Sequence, residues 1–552
     1  MIKRLTLLVV MLLVSMPVFA ESVDTAWVRR YDGPVNLEDY ANAIAVDGSG
    51  NVYVTGYSKG NATGYDYATI KYYANGDTAW VRRYNGPGNE DDIAFAMTVD
   101  DSGNIYVTGY STDIVTSSDY TTIKYYPNGD TAWVRRYSGP GNPSWDVALA
   151  IAVDGSNNIF VTGRSVGSGT SWDYATIKYN FNGDTAWVRR YNGPGNDYDE
   201  AQSIAVDGSG NVYVSGHSWS GASYDYATIK YYPNGDTAWV RRYNGPGNDY
   251  DEAHAIAVDD SDNVYVTGYS TDIVTSDDYA TIKYYPNGDT AWVRRYNGPG
   301  NDYDEALAIA VDDSGNVYVT GYSTDIVTSE DYTTIKYYPN GDTAWVRRYN
   351  GPGNSWDEAW AIVVDGSNNV YVTGYSYGSG TFADYATVKY YPNGDTAWVR
   401  RYNGPGSSHD DAHALSVDSS GNVYVTGYSV GSGTGYDYCT IKYFPKSTDV
   451  KDETESREKP SEFDLSQNYP NPFNPTTKIE FTLSKSGFVT LQIYDILGRK
   501  VRTLVSEHLS SGYKSVIWDG KNDDGKDIAS GVYFYQLRVG DFSEPKKMVL
   551  LK

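Results

Sequence analysis

The chain has little of what disulfide-stabilised proteins, histidine metalloenzymes and nucleic-acid-binding proteins need. Its 552 residues include one cysteine, Cys439, and five histidines. An internal disulfide is therefore impossible, and a histidine-based metal centre has few candidate ligands. Lysine and arginine total 44 against 70 acidic residues, which gives a formal net charge of −26. Because such a chain is repelled by nucleic acid and by anionic membranes, we expect neither as a partner.

Long apolar runs are also scarce, and the strongest one lies at the N-terminus. Residues 1–20 place Lys3 and Arg4 before an apolar stretch and end in Val18-Phe19-Ala20. This is the pattern of a secretory signal peptide, and the apolar stretch is too short to span a bilayer. We therefore predict a signal peptide at 1–20, no transmembrane segment, and a protein that is secreted or held at the cell surface.

A repeat dominates the rest of the sequence. The phrase Thr-Ala-Trp-Val-Arg-Arg-Tyr occurs eight times at a spacing close to 53 residues, with its tryptophans at Trp27, Trp80, Trp133, Trp187, Trp239, Trp292, Trp345 and Trp398. Each repeat contains four short apolar, β-branched or aromatic runs separated by turn residues, such as Asn75-Gly76. Four-stranded units of this length predict β-propeller blades. A β-solenoid is the alternative, although its repeats are usually shorter and its strands parallel.

The order of the phrases predicts how the ring closes. The chain begins its repeats with a Trp phrase at 24–31, which corresponds to a fourth strand, and ends them at 437–444 with a third strand. Pairing these two strands removes two open sheet edges. We therefore predict an all-β fold in which residues 21–446 form an eight-bladed β-propeller of four-stranded blades closed by the N-terminal strand.

A second unit follows a polar stretch. Residues 447–464 are charged and have no apolar period, which predicts a solvated linker. Residues 465–552 alternate turn chemistry with runs that predict strands, and they favour a small antiparallel β-sandwich. The predicted strands are Lys478–Leu483, Val489–Tyr494, Lys514–Trp518, Val532–Val539 and Lys546–Leu551.

Motifs in this second unit resemble a known family. Asn468-Tyr469-Pro470-Asn471-Pro472-Phe473-Asn474-Pro475-Thr476-Thr477 resembles the opening motif of the type IX secretion C-terminal sorting domain, and Ile493–Arg499, Ala529–Tyr533 and Lys546–Lys552 match its later motifs in order. The resemblance implies an Ig-like domain that delivers a periplasmic protein to the outer-membrane secretion machinery and is commonly cleaved afterwards. An ordinary Ig-like interaction domain, such as that of flagellar hook-capping proteins, is the alternative.

The repeats resemble a family as well. Ala45–Ser58 (Ala-Val-Asp-Gly-Ser-Gly-Asn-Val-Tyr-Val-Thr-Gly-Tyr-Ser) is similar to the bacterial secreted β-propeller repeat. This resemblance implies the fold and brings no catalytic residues with it.

One face of the predicted propeller carries most of the variation between repeats. Strand direction places the loops equivalent to 58–66 and 85–92 together on this variable face, and loops on a rigid scaffold are where binding usually resides. Aromatic residues in these loops can stack on sugar rings. The predicted binding residues are Tyr65, Trp172, Trp219, Tyr224, Tyr377, Phe382 and Tyr436.

Two columns of aspartate run through all eight repeats. The first precedes the innermost strand and predicts a carboxylate ring near the channel mouth, with a hard cation as its hypothetical ligand and capping of backbone N–H groups as the alternative. Its members are Asp39, Asp92, Asp146, Asp199, Asp251, Asp304, Asp357 and Asp410. The second column begins each third strand. Centring the hairpin on Asn75-Gly76 places Arg83 opposite Ala68 and diagonal to Asp66, which predicts an Asp–Arg pair in every blade.

Enzyme motifs are absent from the sequence. His409 and His413 have i,i+4 spacing but lie at the start of a strand, where this spacing does not bring two rings to one helical face. A propeller enzyme should break the repeat symmetry with one acid, base or metal cluster near the channel, and the sequence offers no convincing break. We therefore expect a non-catalytic binding or scaffold module without a cofactor, with a surface glycan or a protein as its candidate partner. The alternatives are a secreted propeller enzyme acting on polysaccharide and a repetitive surface protein without a small-molecule ligand.

Overall fold

The protein is described by a computed structural model covering residues 23–141, 144–446, 463–468, 471, 473, 476–523, 525–540 and 542–551. Within these ranges every regular element is a β-strand, and no helix is long and apolar enough to cross a membrane. The chain divides into two compact units, 1–446 and 447–552. The predicted signal peptide and nearly all of the predicted linker lie outside the described residues.

The first unit consists of eight sheets, each built from four antiparallel strands, which we call blades 1 to 8 in the order of their inner strands. The inner strands are Asp39–Val46, Asp92–Val99, Val147–Val153, Asp199–Val206, Asp251–Val258, Asp304–Val311, Asp357–Val364 and Asp410–Val417. The second strands are Val52–Lys59, Ile105–Asp113, Ile159–Val166, Val212–Trp219, Val264–Asp272, Val317–Asp325, Val370–Tyr377 and Val423–Val430. The third strands are Tyr65–Tyr72, Ser117–Tyr125, Trp172–Tyr179, Tyr224–Tyr231, Ser276–Tyr284, Ser329–Tyr337, Ala383–Tyr390 and Tyr436–Pro445.

The fourth, outer strands carry the Trp phrase. They are Thr78–Tyr84, Thr131–Tyr137, Thr185–Tyr191, Thr237–Tyr243, Thr290–Tyr296, Thr343–Tyr349, Thr396–Tyr402 and, for blade 8, Val23–Tyr31. That last strand pairs antiparallel with Tyr436–Pro445, from Val23 opposite Pro445 to Tyr31 opposite Tyr438. Each inner strand contacts the inner strands of both neighbouring blades, including blade 8 with blade 1. The predicted eight-bladed propeller and its closure by the N-terminal strand are thus confirmed.

Side chains of the Trp phrase fasten each blade to the next across an interface that we call a seam. In blade 1, Trp80 donates its indole N–H to the carbonyl of Pro127 at 3.2 Å, and Arg82 donates to the carbonyl of Gly129 at 2.6 Å. Tyr67 is fully buried and donates its hydroxyl to the carbonyl of Thr121 at 3.0 Å. A single blade cannot bury its own faces, so these contacts between neighbours hold the ring together.

A β-bulge interrupts every inner strand. In blade 1 the register shifts between Ala41 and Ala43, so that Asn42 is the extra residue. A Cβ on Gly56, in the facing strand, would collide with the carbonyl oxygen of Tyr40, which explains the glycine in the middle of an otherwise β-branched second strand. The equivalent bulge residues in blades 2 to 8 are Phe95, Leu149, Gln202, His254, Leu307, Trp360 and His413.

The second unit is a two-sheet sandwich. One sheet contains Asp464–Leu465, Thr477–Leu483 and Gly512–Trp518; the other has the order Lys500–Leu509, Gly487–Asp495, Gly531–Val539, Phe542–Leu550. Lys500–Leu509 was not among the predicted strands, and the final strand begins at Phe542 rather than at Lys546. In the first unit, the short strand Ser144–Trp145 pairs in parallel with Ser117–Ser118 and so extends the sheet of blade 2.

Candidate functional site

The first aspartate column caps backbone amides in every blade. Asp39 is fully buried; its Oδ2 accepts the N–H of Gly33 at 2.5 Å and its Oδ1 that of Lys59 at 3.2 Å. Burial raises the pKa of Asp39 to about 6. The glycine amide bond recurs at Asp92, Asp146, Asp199, Asp251, Asp304, Asp357 and Asp410, at 2.5 to 2.7 Å. A second backbone N–H reaches Oδ1 in every blade except blade 5, where Asp251 Oδ1 lacks a partner among the described residues. Capping therefore accounts for both oxygens of seven of the eight carboxylates, and the hypothesis of a cation ring stays a prediction.

The second column forms the predicted ion pairs. Ala68 lies opposite Arg83 in the register, and Arg83 Nη2 lies 2.8 Å from Asp66 Oδ2. The equivalent Asp–Arg distance in the other seven blades is 2.8 to 3.0 Å. These pairs fix the geometry of the third and outer strands, which is a structural role.

The seven aromatic residues predicted for binding do lie at the variable face, but six of them are half-buried. Phe382 is the exception, with 54% of its surface exposed. Trp172 packs edge-on to Tyr198 at 5.1 Å between ring centres, and Arg164 lies over the indole at 4.1 Å. The remaining five are Tyr65, Trp219, Tyr224, Tyr377 and Tyr436, and each contacts at least one further aromatic ring.

The contacts of these residues lead to a set of more exposed rings. The residue just before the first aspartate column is aromatic in five consecutive blades, and we call these five residues the aromatic crown. It comprises Trp145, Tyr198, Tyr250, Tyr303 and Trp356, which are 43 to 56% exposed. Tyr224 lies against Tyr250 at 5.5 Å and Tyr377 against Trp356 at 6.2 Å. Several predicted binding residues therefore support the crown.

Just after the same column, blades 4 to 8 carry acids where blades 1 to 3 have Tyr40, Ile93 and Val147. We call these acids the carboxylate arc, and they are Glu200, Glu252, Glu305, Glu358 and Asp411. In blades 4 to 7 each of these acids stands two positions after a crown residue, at the start of the inner strand. This breaks the eight-fold symmetry of the repeats.

Neighbouring blades supply partners for the arc. Glu305 Oε1 lies 2.7 Å from His254 Nε2, and Tyr322 donates to its other oxygen. Since His254 is a bulge residue, the bulge aims an imidazole of blade 5 at an acid of blade 6. Hydrogen bonding to His254 lowers the pKa of Glu305, although its burial opposes this.

Glu358 differs from Glu305 in its electrostatics. Tyr375 donates to its Oε1. Burial, together with the charges of Glu330 and Asp411, raises the pKa of Glu358 to about 7. Burial also lowers the pKa of His217 to about 4, so that this ring is neutral near pH 7. Two acids with oppositely shifted pKa values thus stand in adjacent blades.

Sequence reasoning missed both the crown and the arc. The signal was present in the phrases Tyr-Asp-Glu-Ala and Trp-Asp-Glu-Ala, for example at 303–306 and 356–359. This signal is missed when the aspartate column is considered without the residues on either side of it.

Family profiles match both units. One described as "Beta-propeller repeat" matches residues 36–61, 79–114, 186–222, 238–273, 291–326 and 397–433. One described as "FlgD Ig-like domain" matches residues 468–540. An uncharacterized WD repeat-containing protein of Acanthamoeba polyphaga mimivirus is 23% identical over 415 residues, which is 65% of this chain and 26% of that protein. The chain thus spans about a quarter of that relative.

Two solved structures are similar to the chain, both at low identity. PorZ, a surface component of the type IX secretion system of Porphyromonas gingivalis, is 14% identical with a TM-score of 0.37; the match covers 91% of this chain and 64% of PorZ. The polysaccharide lyase Uly1 is 12% identical with a TM-score of 0.38, over 66% of this chain and 92% of the lyase. Neither likeness is close enough to transfer an activity. The profiles thus show β-propeller repeats in the first unit and similarity to an FlgD Ig-like domain over residues 468–540.

Proposed function

We propose that the protein is an exported β-propeller that binds a surface glycan, without catalysis, on the crown and arc of blades 3 to 8. The observation that carries this proposal is the exposure of five aromatic rings in five consecutive blades. Aromatic side chains stack on the apolar faces of sugar rings. By analogy with a stacked nucleobase, each such contact contributes about 1–3 kcal/mol to the binding free energy. A row of such rings on a rigid scaffold suits an extended ligand.

The carboxylate arc limits what that ligand can be. Carboxylates accept hydrogen bonds from sugar hydroxyls and attract amino groups, whereas they repel uronates and sulfates. The chain as a whole carries a formal net charge of −26, which adds to this repulsion. The ligand class is therefore a neutral or amino-group-bearing glycan.

The C-terminal unit delivers the propeller to the cell surface through type IX secretion. Two observations support this assignment: the motifs occur in the family's order, and the first motif is in contact with the last. Phe473, in the opening motif, is buried against Trp518 with ring centres 5.5 Å apart, and it accepts the N–H of Leu551 at 2.9 Å. Ile496 and Leu497, at the tip of a later motif, are 69% and 72% exposed. The contact between Phe473 and Leu551 and the exposed apolar turn at Ile496 and Leu497 are two features that a secretion receptor can recognise.

A glycan array with the full chain tests the binding proposal, followed by titration of the best ligand. Replacing both Tyr303 and Trp356 with Ala should weaken binding at least about 30-fold, the equivalent of about 2 kcal/mol. The matched control replaces Tyr285 and Tyr338, which are each 50% exposed in the opposite-face hairpins, and should leave affinity unchanged. Equal losses in the two double variants would place binding elsewhere.

A secreted enzyme acting on polysaccharide is the second candidate, because the His254–Glu305–Tyr322 contacts break the repeat symmetry. The same three residues also join two blades, which is a structural role. Glu305→Gln separates the two functions. An enzyme would lose turnover and keep substrate affinity, whereas a binding protein has no turnover to lose.

A further inference from the structure

The seam that closes the ring, between blades 8 and 1, carries an acid that the other seven seams lack. A Tyr-X-Gly turn precedes each inner strand, and X is Asp32 only at this seam. The equivalent residues elsewhere are Asn85, Ser138, Asn192, Asn244, Asn297, Asn350 and Asn403. One side chain therefore distinguishes the closing seam from its copies.

Asp32 joins two buried carboxylates. Oxygen atoms of Asp32, Asp39 and Asp437 all lie within 4.8 Å of one another. Asp39 is fully buried and Asp437 is 3% exposed, whereas Asp32 faces solvent. The three acids come from the turn after the N-terminal strand, from blade 1 and from blade 8. A ligand shared by all three would bridge the two ends of the propeller.

One buried oxygen in this cluster has no hydrogen-bond donor among the described residues. Asp437 Oδ2 accepts hydrogen bonds from Arg30 at 2.8 Å and from Thr434 at 3.1 Å. Its Oδ1 is buried and lacks a donor among the described residues. A buried carboxylate oxygen left without a partner is costly, and a cation would satisfy it.

The close approach of three acids distinguishes this seam from those that share the same buried pair. In blade 1, for example, Asp66 Oδ1 also lacks a donor, but Asp92, Asp66 and Arg83 sum to one negative charge there. At the closing seam Asp32 adds a second negative charge beside Arg30. In blades 2, 5 and 6 a third acid, Asp113, Asp272 or Asp325, also lies 3.6 to 3.9 Å from the paired arginine. Among the described residues, however, only Asp32, Asp39 and Asp437 bring three acidic oxygens within 4.8 Å of one another.

We propose that Asp32, Asp39 and Asp437 bind one hard divalent cation, Ca²⁺, which fastens the N-terminal turn to the first and last blades. Ca²⁺ accepts carboxylate oxygens in irregular geometry and tolerates water in its shell, whereas Mg²⁺ demands a near-ideal octahedron. The site offers three carboxylates and is open to solvent at Asp32, so its affinity for Ca²⁺ should be modest. The dissociation constant should lie near 10⁻⁴–10⁻³ M, the range of extracellular modules. This inference is independent of the glycan proposal.

The repeats supply matched variants for the test. Asp32→Asn installs the residue that six other seams carry, so the fold should tolerate it. Asn85→Asp adds the third acid beside Asp92 and Asp66. Calorimetric titration of the full chain with Ca²⁺ alone, up to about 10 mM and thus above the expected dissociation constant, measures the number of sites, and thermal melts with and without Ca²⁺ measure the effect on stability.

The expected result is one site in the unmodified chain, none in Asp32→Asn and two in Asn85→Asp. Ca²⁺ should raise the melting temperature of the unmodified chain and leave that of Asp32→Asn unchanged. Absence of binding in the unmodified chain, or equal binding in Asp32→Asn, would overturn the site. Failure of Asn85→Asp to gain a second site would overturn the argument that a third acid at this position completes the site.

Discussion

Closure of the ring by Val23–Tyr31 makes Trp27 as important as its internal copies, although it lies near the start of the described chain. Trp27 is 7% exposed and packs against Tyr72 and Tyr424, with ring centres 6.0 and 6.3 Å away. Its indole N–H donates to the carbonyl of Ala74 at 3.3 Å. Trp133, at an internal seam, is 8% exposed and makes the same kind of bond to Phe181 at 3.4 Å.

We expect Trp27→Ala to lower the free energy of unfolding by about 3–5 kcal/mol, the usual range for removing a buried Trp. Trp133→Ala is the matched control and should cost the same within about 1 kcal/mol, because both cavities have equivalent walls. Urea unfolding of the full chain, followed by tryptophan fluorescence and circular dichroism, measures both values. If the two probes do not coincide, the transition is not two-state and only the midpoints can be compared.

Deleting residues 23–31 extends the same test. The deletion removes Arg29, whose Nε donates to the carbonyl of Gly76 at 2.6 Å, and Arg30, which pairs with Asp437 at 2.8 Å. It also exposes the edge of Tyr436–Pro445, so aggregation should rise. A peptide of sequence 23–31 added in trans should restore the melting temperature by β-strand addition. If Trp27→Ala leaves the free energy of unfolding nearly unchanged whereas Trp133→Ala lowers it as expected, closure of the ring in solution is refuted.

Two further predictions follow from the arc and from the C-terminal unit. Because burial raises the pKa of Glu358 from 4.5 to about 7, its stabilising contribution is complete below pH 4.5 and is lost as the pH rises through 7. The free energy of unfolding of Glu358→Gln should therefore match that of the unmodified chain near pH 4 and exceed it by about 1–3 kcal/mol near pH 8. Urea unfolding at several pH values measures this difference. A difference that does not change with pH would contradict the prediction. Deleting 465–552 should leave a folded propeller in the periplasm of a host with type IX secretion, and detecting that variant at the cell surface by protease accessibility would contradict the sorting assignment.

Local chemistry made the blade predictable from sequence. Asn75-Gly76 fixes a hairpin, a hairpin fixes a register, and the register placed Arg83 opposite Ala68, as observed. The phrase order likewise predicted closure, because strand pairing needs no side-chain detail. Lys500–Leu509 escaped prediction because its side chains are half-buried or exposed throughout, so apolar alternation was too weak to mark it as a strand.

The candidate site was harder to predict because it depends on a bulge. An extra residue such as His254 leaves no trace in a period-two pattern, yet it changes which face the preceding residues occupy. The crown and the arc lie ahead of that bulge, where the sequence reads as a loop before a strand. Repetition also concealed them, because the column aspartate is common to all eight blades whereas its neighbours differ. In a repeat protein the residues shared by all copies explain the scaffold, and candidate functional residues lie where some copies differ from the others. Here Glu305 with His254 departs at the variable face, and Asp32 departs at the closing seam.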